Sequence, residues 1–145
     1  MRGLAPAQWR VVAHALVLVP VVRWWLRRDG FEATASRLAE RSSGEIVSSP
    51  PPPPPADLID AVALVAGRSL IGARCLGRSL VAWYLLRRRG VDAVLEIGAR
   101  LPVVDRLAAH AWVEIDGMPV GEAADVREQF SSFGVRLPRL GRAVG

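Results

Sequence analysis

The chain has 145 residues, a net charge of +5 and a hydrophobic fraction of 51%, which fits one domain able to bury a core without cross-links and excludes global disorder. Its single cysteine excludes an internal disulfide and, with only two histidines beside it, a Cys-rich zinc site. All 19 basic residues are Arg, the habit of a GC-rich coding sequence. No aromatic-interleaved basic groove accompanies them, so a nucleic-acid partner is not expected.

In chain order, residues 7–28 read as a helix, kinked at Pro20 and stopped by Asp29-Gly30. Its apolar middle, Val11 to Val22, falls short of the roughly 20 residues needed to span a bilayer. The segment that follows, Arg23 to Arg28, carries no small-residue cleavage site. A buried core helix is therefore expected in preference to a membrane-surface helix. Phe31 to Arg41 reads as a second helix with Phe31, Ala35 and Leu38 on one face. Ser42 to Pro55 is a linker ending in the proline run Pro50 to Pro55, an extended spacer. The organisation expected is an N-terminal helical segment (residues 1–49), the polyproline linker (50–55) and a core (56–145).

Asp57 to Gly67 reads as a third helix, N-capped by Asp57, with Leu58, Val62 and Val65 on one face. Arg68 to Arg74 has no clean period and reads as a loop. From Cys75 to Arg89 runs a strong helix with Leu76, Leu80, Trp83, Ala82 and Leu86 toward the core and Gly90 as its stop. The remainder is β-like. Ala93 to Arg100 alternates, with Ala93, Leu95 and Ile97 on one face. Ala109 to Ile115 and Met118 to Glu122 flank the turn signal Asp116-Gly117. The tail from Asp125 is weakly periodic, with a helix over Asp125 to Phe133 as one reading. Helices followed by an antiparallel sheet make an α+β domain.

Two residues carry the chemistry. Cys75 stands where a loop becomes a helix, with Arg74 and Arg78 near in sequence. A helix N-terminus and neighbouring cations favour the thiolate, which is the attacking form. The residue's own N–H, free at the first turn, is also placed to donate to an oxyanion. The alternative for a lone Cys is a buried small hydrophobe. His110 opens the phrase His110-Ala111-Trp112-Val113-Glu114, and a neutral imidazole there would serve as general base, then acid. His14, inside the apolar helix, reads as structural. The third member depends on the hairpin. A three-residue loop, Ile115-Asp116-Gly117, pairs Glu114 with Met118, Trp112 with Val120 and His110 with Glu122. A two-residue loop, Asp116-Gly117, pairs His110 with Ala123 and turns Glu122 to the other face. Asp105 and Asp125 are weaker candidates.

The stretch Cys75-Leu76-Gly77-Arg78-Ser79-Leu80, continuing to Leu85-Leu86-Arg87-Arg88-Arg89-Gly90, resembles the Cys-helix of lasso-peptide biosynthesis B2 proteins, leader peptidases of the transglutaminase-like cysteine protease group. Glu96-Ile97-Gly98, the His110 phrase, Asp116-Gly117 and Gly121-Glu122 resemble that family's strands and hairpin; the likeness is strongest over residues 70–122. The resemblance implies a transglutaminase-like or papain-like core in which the Cys-bearing helix packs on a small antiparallel sheet. It implies a triad of Cys75, His110 and Glu122, no cofactor and no metal. It further implies a cytoplasmic bacterial hydrolase that removes the leader from a ribosomally made lasso precursor, ahead of macrolactam formation by a separate cyclase. Because only residues 1–49 precede the prolines, and read as helical, the chain resembles the split form that relies on a separate leader-binding recognition protein. The proline run is not part of the family pattern. Two other readings share the residues: another acyl-transfer enzyme of this fold, such as an amidase or transglutaminase, and a non-catalytic peptide-binding module.

Overall fold

The computed structural model describes residues 6–42, 53–66, 73–100, 108–120 and 131–137; residues 73–75, 99–100, 108–109 and 131–137 are described by backbone alone. The first element, α1 (Pro6–Ser42), is two helical arms, residues 6–29 and 31–42, joined at Gly30. Gly30 has φ 84 and ψ 179, a backbone region that a Cβ makes costly. The break expected at Asp29-Gly30 is thus present. Pro20 keeps helical dihedrals, so the one departure within α1 is at the glycine and not at the proline. Arg37 from the second arm reaches back to Asp29 at 2.7 Å across the break.

Val11, Ala15, Val19 and Val22 form the buried stripe of the first arm, and Ala35 and Leu38 that of the second. The opposite side of the first arm exposes Trp9, Leu16, Val17 and Trp24. Only 22% of its most apolar window is buried, and by length and composition α1 is sufficient to cross a membrane. A single stripe of a long apolar helix therefore serves the core.

Helix α2 (Pro55–Ala66) starts at the last proline of the run. Proline suits the first helical position because its missing N–H has no acceptor there anyway. Asp57 consequently lies inside the first turn, favourable to the dipole, and is not the N-cap the sequence suggests. At the other end Arg23 of α1 donates to the Ala66 carbonyl at 2.6 Å, satisfying one of the orphan acceptors that end α2.

Helix α3 (Ala73–Arg88) is central, in contact with α1, α2 and the sheet. Leu80, Val81, Ala82, Trp83, Leu85 and Leu86 are all buried, a nearly all-round burial that a one-sided amphipathic reading does not anticipate. It ends in a Schellman arrangement: Val91 N–H to Leu86 O and Gly90 N–H to Arg87 O, both 3.0 Å, with Gly90 at φ 81. Trp83 sends its Nε1–H to the Ala93 carbonyl at 3.0 Å, tying α3 to the first strand with its polar atom satisfied.

The strands are β1 (Ala93–Arg100), β2 (Ala108–Ile115), β3 (Met118–Val120) and β4 (Ser131–Leu137). They form one antiparallel sheet in the order β3-β2-β1-β4. β1 has the bounds its alternation predicts. β4 does not match the tail reading: residues 131–133, given above to a possible helix, begin an edge strand on β1, whose register shifts between Ile97 and Gly98. Ala93, Leu95, Ala111 and Val113 face the helices and join one hydrophobic core with α1, α2 and α3. The architecture is the expected α+β one, helices followed by a small antiparallel sheet on which α3 packs.

Candidate active site

Cys75 is the third residue of α3, because the helix begins at Ala73 and not at Cys75 itself. Its N–H is among the first four of the helix, which have no intrahelical acceptor and form the positive end of the dipole. Ser79 follows four residues later, one turn along the helix. Its hydroxyl donates to the Ala111 carbonyl at 2.8 Å in a buried hydrogen bond. Ala111 is the neighbour of His110 on β2. The amino-terminal half of α3, on which Cys75 sits, is therefore fastened to β2 at the end that carries His110. Arg78, between them in sequence, is buried.

His110 is only 4% exposed. Its ring stacks on that of Trp112, centroids 5.8 Å apart and planes at 26°. Trp112 in turn donates Nε1–H to Glu114 Oε1 at 2.9 Å, and Glu114 is wholly buried. Period-two geometry puts these three on one sheet face. Across the ladder Gly98 lies opposite His110, Glu96 opposite Trp112 and Val94 opposite Glu114. The residue facing His110 on β1 therefore has no side chain, and the next on that face is the buried carboxylate Glu96.

The hairpin resolves the register. Ile115 pairs with Met118, Glu114 with Pro119 and Val113 with Val120. The loop is Asp116-Gly117 alone, with φ 52 and 79, the two positive values of a type I′ turn. The three-residue loop, with Glu114 opposite Met118 and Trp112 opposite Val120, is overturned. The primed two-residue turn matches the twist of its strands, and Asp-Gly supplies both left-handed positions. The geometric argument that set Glu122 opposite His110 goes with it. Glu122 itself lies outside the described residues, as do Asp105 and Asp125.

His14, the other histidine, is exposed on α1, and its Nδ1 accepts from Arg89 Nη2 at 3.2 Å. Among the described residues no group of three His, Cys, Asp or Glu side chains is placed to hold a metal ion. The sequence reading missed three members of the neighbourhood: Ser79, Glu96 and Glu114. Glu96 and Glu114 had a visible signal, since both are acids on the alternate of an otherwise apolar strand. Ser79 had none, because its role is to reach a backbone atom 32 positions away.

A family model described as the transglutaminase-like superfamily matches residues 15–134. No curated protein matches the chain. No solved structure matches it either.

Proposed function

The chain belongs to the transglutaminase-like superfamily, generally cysteine hydrolases and acyltransferases, and from that membership we propose that it is a cysteine peptidase removing the leader of a ribosomally made lasso precursor. Cys75 is the nucleophile and His110 its base; Glu122 as the acid that orients His110 rests on the resemblance alone, because the two-residue turn removes the strand register that set it opposite His110. The observation in its support is the Ser79–Ala111 hydrogen bond, which ties the Cys-bearing half of α3 to the backbone of the residue next to His110 on β2; the His110 ring itself lies on the sheet face opposite Ala111.

In this reading His110 takes the Cys75 thiol proton and the thiolate sulfur attacks the scissile carbonyl. The tetrahedral oxyanion is received by N–H groups at the start of α3. Collapse breaks the C–N bond, His110 gives its proton to the leaving amine, and a thioester to Cys75 remains. Water, deprotonated by His110, attacks the thioester; the acid product leaves and the thiol is restored. Trp112 supports the base by holding the His110 ring through the stack. The specific substrate, the cytoplasmic setting, the separate leader-binding protein and the downstream cyclase belong to this proposal and rest on the resemblance of residues 70–122 to lasso B2 proteins.

Mass spectrometry of a lasso precursor incubated with the protein and a leader-binding partner tests it. One bond is cut by the native chain and none by Cys75→Ala. A product cross-linked to an amine in place of a cleaved peptide assigns the chain to acyl transfer instead. Cleavage at full rate by Cys75→Ala removes the proposal.

A further inference from the structure

The first arm of α1 and the carboxyl-terminal end of α3 line an open cavity of about 400 Å³. One wall is apolar: Val17, Leu18 and Leu85, with Tyr84. The other carries three nitrogen-rich groups, His14, Arg88 and Arg89. Among the described residues the lining includes no carboxylate. Its volume is in the range of small-ligand sites, and an apolar surface with a few convergent polar groups is their usual composition.

Arg89 gives the site its character. Its two hydrogen bonds go to neutral acceptors, Nη1 to the Leu85 carbonyl and Nη2 to His14 Nδ1, each at 3.2 Å. An imidazole nitrogen that accepts from a guanidinium belongs to a neutral ring whose proton is on Nε2, a second donor at the cavity. Arg88 adds a like charge next in sequence. Burial and the adjacent arginine both push the Arg89 guanidinium down from its ordinary value, and burial, Arg89 and Arg88 do the same to His14. Arg88 also donates from Nη1 to the Arg41 carbonyl at 3.4 Å. The half-buried Arg89 guanidinium, with neutral acceptors and an apolar wall beside it, carries a desolvation cost that a bound anion offsets.

We infer that this cavity binds a carboxylate on an apolar stem, the carboxylate between Arg88, Arg89 and His14 and the stem along Val17, Leu18 and Leu85. The site is separate from the catalytic proposal: Arg89 is about 21 Å along the helix from Cys75, at 1.5 Å per residue. Two sources share the chemistry. One is an acidic side chain flanked by apolar residues in a peptide; the other is a free medium-chain carboxylic acid.

The test titrates the full chain with octanoate, octylamine and N-acetyl-Leu-Leu-Glu amide, following the His14 ring resonances by NMR. Octanoate, the tripeptide or both shift them saturably and octylamine does not. Binding by octanoate alone identifies a free acid, and binding by the tripeptide alone an acidic peptide segment; binding by both supports the shared chemistry. Arg89→Leu weakens the bound probe about 10-fold or more, the loss of one charge-assisted contact. Because Arg89 also holds the Leu85 carbonyl, a second variant guards against misfolding. Val17 is 66% exposed, so Val17→Glu folds normally and sets a competing carboxylate at the cavity, with the same 10-fold loss. Equal shifts from octylamine, no saturable shift from either carboxylate, or unchanged affinity in Val17→Glu overturns the inference.

Discussion

Ser79 Oγ donates to the carbonyl of Ala111 at 2.8 Å, joining the helix that carries Cys75 to the strand that carries His110. Both partners are buried, so the hydrogen bond lies inside the protein, away from competing water. Ser79→Ala is expected to lower stability by roughly 0.5–1.5 kcal/mol, the net contribution of one buried hydrogen bond. Under the peptidase reading kcat falls further than the folded fraction does, because the helix and strand lose their tie. Urea melts beside single-turnover cleavage check this.

Trp112 links the proposed base to a buried acid. Its indole N–H is a donor to Glu114, and its ring carries the His110 stack. Trp112→Phe keeps a ring and removes the donor. The expected cost is roughly 1–3 kcal/mol, most of it the loss of a partner to a wholly buried carboxylate. Pairing it with Glu114→Gln in a double-mutant cycle measures the coupling, which is expected to be clearly non-zero for residues in direct contact.

Gly30 isolates a backbone effect. A Cβ at Gly30 would meet nothing within 4 Å, so only the dihedrals oppose it. Gly30→Ala is expected to cost about 1–3 kcal/mol. A thermal melt equal to the native one would mean that α1 does not need this joint.

His14 reports on the cavity between α1 and α3. Although the residue is exposed, its pKa is lowered from 6.5 first by partial desolvation of the ring, then by Arg89 and Arg88. Just below pH 6.5 the unfolded chain therefore binds more protons than the folded one, and stability falls as pH drops through that window. An NMR titration is expected to place His14 below 6.5. Arg89→Leu raises it without restoring the full value, since burial is the larger cause. A native His14 titrating at or above 6.5 contradicts the cavity's electrostatics.

The parts of the fold legible in the sequence are those written locally. β1 alternates cleanly, Gly90 stops α3, and Asp29-Gly30 breaks α1 where it must. The errors arose where one local signal serves two structures. Asp-Gly permits a two- or three-residue loop, and only strand twist selects between them. Asp57 resembles an N-cap, yet Pro55 opens the helix because a proline at its first position loses no hydrogen bond. β4 has little propensity of its own; pairing with the edge of β1 supplies its structure. At the site, Cys75 and His110 stand out by residue type and neighbours, whereas Ser79 acts through a contact between elements far apart in sequence.

The peptidase reading stands or falls with the thiol, and a chain with one cysteine makes that thiol directly measurable. The measurement is the rate of iodoacetamide alkylation against pH, for the native chain and for His110→Ala. A nucleophile activated by its helix N-terminus and by His110 gives an apparent pKa below the free value of about 8.5, and moves toward that value in His110→Ala. A midpoint at or above about 8.5 in both proteins contradicts the assignment of Cys75 and His110 as a catalytic pair.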